Sequence, residues 1–189
     1  MFGASSEDAL APAGEFDPSV EPTPGDFLDD HDVLDGDDHV AFHETTRELF
    51  EERGVYDMTF GYNLADLNRD TRHTEAGYRY AEDADDPDVL LAEFTPTTPF
   101  CPQSETLTVG SFRAWNALAD RHGYDLVRVR VAPMHQRSGD INDALADLEA
   151  EFRETGELPE PDQGGHGGST PPTTTRDGAD SSQSTDAPF

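Results

Sequence analysis

VLLAEFTPTTPFCPQSETLTVGSFRAWNALADRH, residues 89–122, carries the change of pattern that decides the fold. Its first part, residues 89–97, is an apolar segment that reads as extended. Across its end, residues 95–99 hold two prolines and three threonines. From about residue 102 to residue 122, Leu107, Ala114 and Leu118 face one side of a predicted helix, with Gly123 as its C′ residue. Upstream, residues 72–82 form a second extended segment, joined to the first by the turn-forming run EDADDPD. Downstream, residues 126–132 alternate apolar side chains with Arg, the pattern of a half-buried strand. A helix over residues 39–53 precedes these elements, with Val40, Phe42, Thr46, Leu49 and Phe50 as its stripe and Gly54 as its stop. Another follows over residues 140–154, using Ile141, Leu145, Leu148 and Phe152. The order α-β-β-α-β-α predicts a single α/β (α+β) domain, a three-stranded sheet with helices packed on it.

Composition sets the limits of that domain. Residues 1–38 hold twelve acids and no Arg, and residues 159–189 are rich in Gly, Ser, Thr and Pro. Neither stretch has the apolar residues to offset its conformational entropy, so both are expected to be flexible tails around a domain spanning 39–158. The whole chain of 189 residues has 41 acids against 12 basic residues, every one of them Arg, for a net charge of −29. At ordinary ionic strength, with a Debye length of about 8 Å, such a surface repels itself. In molar salt it becomes a solubility device, and the expectation is a protein of concentrated salt. The charge argues against nucleic acid as a partner, which needs Lys and Arg against phosphate. No apolar run approaches the ~20 residues of a membrane span, and no leader pattern is visible at MFGASSEDAL. A cytoplasmic location without membrane attachment is expected.

Cys101 is the sole cysteine. With Pro102 suited to the first helical position, Cys101 is expected at or near the helix N-cap, where free N–H groups and the helix dipole favour a thiolate. Thr97 and Thr98 would add hydroxyl donors. The alternative is a small apolar side chain plugging the strand–helix junction. One thiolate falls short of the four that a typical cluster takes, so any cluster would be shared with a partner, a second copy or an exogenous thiol.

Around these residues the chain resembles the iron–sulfur cluster assembly domain of SufT and PaaD, which also forms the small subunit of the eukaryotic cytosolic iron–sulfur targeting complex. The resemblance rests on Thr95-Pro96-Thr97-Thr98-Pro99-Phe100-Cys101-Pro102, a Thr-rich strand end running into a Cys. Val131-Ala132-Pro133-Met134-His135 adds to it, with Asn142, Leu145, Ala146, Asp147 and Glu149 beyond. Upstream, Asp57-Met58-Thr59, Gly61 and Asp66-Leu67 keep the spacing of the family's Asp-Pro-Glu loop, with Met58 and Thr59 in place of its Pro and Glu. The similarity spans about residues 42–154. PaaD-type members carry further cysteines near the C-terminus, and this chain has none. The resemblance implies a maturation or targeting factor, not an enzyme with turnover. It implies transient binding of iron or an iron–sulfur cluster through Cys101, and client proteins and cluster carriers as partners. A homodimer would bring two Cys101 thiols together. Thr97 and Thr98 are candidates for shaping the cofactor pocket, and Asp57 and His135 are further candidate metal ligands.

Other residues invite weighing. His39 and His43 share a helix face at the spacing of a two-His metal pair, though no third ligand is placed. His122 beside Gly123 suits a charge at a helix C-terminus. Asp140, Asp143 and Asp147 suit a solvated face. A Cys–His nucleophilic pair of Cys101 with His135 lacks an orienting third group.

Overall fold

The computed structural model describes residues 9–158. Helix α1 spans Gly36–Arg53, with Asp37 and Asp38 in its first turn, where the dipole favours acids, and Gly54 closing it at φ 70°. Its buried face is His39, Phe42, His43, Thr46, Leu49 and Phe50. Helical spacing thus puts two imidazoles and a hydroxyl into the core, in place of the expected Val40, which is only half buried. Each polar group is matched from elsewhere or set against an aromatic ring. Trp115 Nε1–H donates to Thr46 Oγ1 at 3.0 Å, and His43 lies between Tyr80 Oη at 2.7 Å and the Ala65 carbonyl at 2.8 Å.

Short strands β2 (Tyr56–Asp57) and β3 (Tyr62–Asn63) make a small hairpin, and a 3-10 segment (Leu64–Arg69) leads on from it. The main sheet is built from β4 (Gly77–Glu82), β5 (Val89–Thr95) and β6 (Leu126–Val131). β4 and β5 run antiparallel, while β5 and β6 run parallel. A parallel pair needs a crossover, and α2 (Ser104–Ala117) supplies it. α3 (Ser138–Thr155) follows β6. The free edge of β6 is occupied by side-chain amides. Asn116 of α2 bonds both backbone groups of Val127, and Asn142 of α3 does the same at Val131. Polar capping of this kind blunts a sheet edge.

Alternation gives the sheet two faces. Tyr78, Tyr80, Leu90, Ala92, Phe94, Val127 and Val129 pack with Phe50, Leu107, Phe112 and Trp115 in the main core. The other face carries Arg79, Ala81, Leu91, Glu93, Arg128 and Arg130, and here the structure departs from the expected tail. Leu28 is buried on Ala81 and Leu91. The ring of Phe27 lies under the guanidiniums of Arg128 and Arg130, at 5.7 and 5.4 Å. Arg79 donates to the carbonyls of Pro22 and Leu34 and pairs with Asp35. A further two-residue strand, β1 (Asp32–Val33), pairs with β4, so the main sheet has four strands in the order β1-β4-β5-β6, not three. Residues 9–38 therefore belong to the folded body where they are described, contrary to the expected flexible tail. Composition undercounted them because few apolar anchors suffice when the partner face supplies the matching charges. The expected tail over 159–189 lies outside the described residues.

Glu93 shows how tightly this segment is held. Its Oε1 accepts the Gly25 N–H at 2.6 Å, and a β-carbon on Gly25 would lie 2.6 Å from the same oxygen, so any other residue there would push the carboxylate aside. Burial raises the Glu93 carboxyl above its ordinary value, and Asp26 and Asp29 push the same way. A carboxyl whose folded value is raised loses stability as pH climbs through that value. Glu93→Gln keeps an acceptor for Gly25 without the buried charge. It is expected to raise the melting temperature at pH 7–8, by ~2–4 °C per kcal/mol regained. A calorimetric scan showing a lower midpoint would refute this.

Candidate functional site

The C-terminal ends of β5 and β6 meet the β2–β3 hairpin at one end of the domain, and the Cys101 turn sits among them. The chain leaves β5 through Pro96 and Pro99 and folds into two successive turns. The Cys101 N–H bonds to the Thr98 carbonyl at 3.3 Å, and the Ser104 N–H bonds to the Cys101 carbonyl at 3.4 Å. α2 begins only at Ser104, with Gln103 as its N-cap. Cys101 thus stands two residues before the cap, not on it, and Pro102 lies ahead of the helix. The reason is local: the turn takes the residues that the Pro-at-first-position rule had assigned to the helix. Cys101 is a free, partly exposed thiol.

Three hydrogen-bonded links fix this turn. The His135 Nε2–H donates to the Cys101 carbonyl at 3.0 Å, and the Gln136 N–H donates to the Pro99 carbonyl at 2.9 Å. His135 Nδ1 accepts the Arg137 N–H at 3.1 Å, which puts the ring proton on Nε2. The third link is Gln103, whose Oε1 accepts the Met58 N–H while its Nε2 donates to Thr59 Oγ1 at 2.6 Å. Gln103 went unnoticed in the sequence, since a lone Gln carries no signal of a bridge between loops 45 residues apart. Thr59, standing where the resemblance expects Glu, is one of its partners.

The candidate residues come together, but in different roles from those expected. Asp57 is buried, and its Oδ1 accepts the N–H groups of Thr59 (2.7 Å) and Phe60 (3.2 Å), shaping the hairpin turn. His135 is buried, with both ring nitrogens bound to backbone. Both side chains thus hold the loops in place around Cys101. Thr97 is half-buried and Thr98 exposed, Thr98 giving its carbonyl to the Cys101 N–H. Among the described residues no group of three or more His, Cys, Asp or Glu side chains could hold a metal ion. This end instead presents apolar surface. Met58, Phe100 and Met134, 81, 67 and 42% exposed, are the exposed large hydrophobics among the described residues, and all three belong to the loops linked around Cys101.

A family model described as a domain of unknown function, DUF7998, matches residues 8–159. The chain belongs to the DUF7998 family. No curated protein and no solved structure matches it. The DUF7998 match begins ahead of the segment that covers the second sheet face, in keeping with that segment's place in the folded body. Its description assigns no chemistry.

The other sequence candidates resolve within the DUF7998 domain. His39 and His43 do share a face, with rings stacked at 5.4 Å, but both His43 nitrogens are taken by Tyr80 and Ala65. Desolvation, with His39 adding to it, lowers His43 to about 4. His122 caps the end of α2 by placing Nε2 2.9 Å from the Trp115 carbonyl, and burial lowers its proton affinity, so it serves as a hydrogen-bond donor where a charge was expected. Asp140, Asp143 and Asp147 are exposed, as a solvated face requires. No helix among the described residues is long and apolar enough to cross a membrane.

Proposed function

We propose that this DUF7998 domain is an iron–sulfur maturation factor. It docks on a client or carrier protein at the Cys101 end and contributes one thiolate to iron or a cluster held jointly with that partner. The observation that carries the reading is the grouping of Met58, Phe100 and Met134 around a partly exposed thiol. Single exposed hydrophobics are ordinary, whereas several converging on one place mark an interaction surface. Iron or cluster is cargo here, and the missing ligands come from the partner or from a second copy through its own Cys101. The domain works in the cytoplasm at high salt, as a binding module without turnover. The Thr-rich strand end and its Cys, the basis of the resemblance, lie at this same end.

A second reading is favoured by the engagement of His135 and Asp57 with backbone. In it the domain is a metal-free adaptor that recognises client proteins, and Cys101 is structural. Anaerobic reconstitution in concentrated salt, comparing the wild type with Cys101→Ser by visible absorption and iron content, separates the two. The expected result is a cluster in the wild type and loss of nearly all bound iron in the variant, whose fold should be unaffected because Cys101 serves its turns through backbone groups. No cluster in either protein would favour the adaptor. Turnover of a small substrate by the isolated protein would overturn both.

A further inference from the structure

The three loops linked around Cys101 run over residues 58–61, 96–103 and 132–139. Their twenty residues contain no Asp or Glu, in a chain where acids fill 41 of 189 positions, more than one in five. Asp57 stands just before the first loop, but it is buried and bound to the hairpin turn. The charges at the rim are balanced locally, with Arg137 lying 3.9 Å from Glu105 and 3.6 Å from Asp140. Where the rest of the chain would place carboxylates, this end exposes Met58, Phe100 and Met134.

A surface as acidic as this one repels other acidic surfaces and stays soluble by doing so. A patch that drops its carboxylates and shows large apolar side chains instead marks a contact. A basic partner would be met by carboxylates, so their absence fits a partner as acidic as the chain itself. Contact between two copies makes this demand most strictly. Residues near a two-fold axis face their own counterparts, and any charge there meets its like. We infer that this end closes on a second copy of the chain, with Met58, Phe100 and Met134 at the centre of a two-fold dimer that brings two Cys101 thiols to one place. The inference rests on reading this end as the docking surface, and it names the partner. It also supplies a second thiolate to a cluster for which one falls short.

The test uses the full chain in concentrated salt, free of iron. Sedimentation equilibrium should show a dimer that dissociates on dilution. Phe100→Asp puts a charge at the centre of the contact and should raise the dissociation constant at least ~30-fold, the scale of an interface hot spot. Its side chain is exposed, so Trp115 fluorescence should be unchanged, and Met58→Glu provides a second variant of the same kind. Because Cys101 is the sole cysteine, a short bismaleimide can join two copies only through that thiol. It should link the wild type and leave Phe100→Asp unlinked. A wild type that stays monomeric at every concentration overturns the inference. So does a dimer that survives both variants, or one that the reagent does not link. Iron reconstitution reads the proposed function separately: a monomer that loads iron through Cys101 removes only the second copy, whereas a dimer that holds no iron removes only the maturation role.

Discussion

A chain that begins at residue 36 should lose its cooperative unfolding transition. The deletion removes Leu28, whose burial on Ala81 and Leu91 contributes about 1.5–3 kcal/mol. It also removes β1 and opens the edge of β4. The larger loss is polar. Arg79 is deprived of the Pro22 and Leu34 carbonyls and of Asp35. Glu93 is deprived of the Gly25 N–H, and Asn68 is deprived of Glu21. Leaving such groups without partners costs roughly 1–3 kcal/mol each, more where a charge stays buried. Together these terms are comparable with the ~5–15 kcal/mol that holds a whole domain folded. Thermal or urea unfolding of the truncated chain in concentrated salt, followed by Trp115 fluorescence, reads the outcome. A sharp transition at an unchanged midpoint would show that the second sheet face stands without its cover.

Acid should act on the opposite side of the sheet, through His43. The folded chain holds this imidazole unprotonated until about pH 4, whereas an unfolded histidine takes up its proton near pH 6.5. A depressed histidine value means that the unfolded state binds the proton first. The stability that the neutral ring contributes is complete above pH 6.5 and is lost as pH falls from there towards 4. The loss amounts to roughly 3 kcal/mol across that window, at 1.36 kcal/mol for each pKa unit. His43→Gln, which can still donate to the Ala65 carbonyl, should flatten this part of the profile even if it lowers stability at pH 7. Asp70 enters at lower pH. Hydrogen bonds from Arg72, Tyr62 and His73 hold its carboxyl well below the usual range although burial opposes them, so its contribution fades only below about pH 4. Denaturant titrations of both chains from pH 7 to pH 4 check the assignment. Parallel profiles for wild type and His43→Gln would remove His43 from the account.

The legible parts of this fold were those whose pattern is written within one element. The alternation of residues 126–131 announced β6, and the apolar run from Val89 announced β5. Leu145 and Ile141 marked the inner side of α3. What escaped was settled by partners distant in sequence. Arg128 and Arg130 looked like a solvent-facing row, yet Phe27 lies against them and Glu149 bonds both. His39 and His43 had the spacing of metal ligands, and only Tyr80, Ala65 and the rings around them reveal a core position. At the candidate site, Cys101, Asp57 and His135 were named from sequence and lie in loops linked to one another. Their actual bonds, and Gln103 that joins two of the loops, depend on turn geometry that no periodicity encodes.

The cover on the second sheet face also has a consequence for how the chain is made. Residues 20–35 leave the ribosome early, but Gly25 waits for a carboxylate 68 residues further on, and Phe27 waits for Arg128 and Arg130 near the far end of the domain. Contacts of such wide separation form late and slow folding. During synthesis the first segment meets β4 and β5 first, but its closure stays incomplete until β6 brings Arg128 and Arg130 to Phe27. Nascent chains halted before residue 126 should therefore remain open to proteases at their amino-terminal end, and the protection should arrive in a single step rather than grow with length.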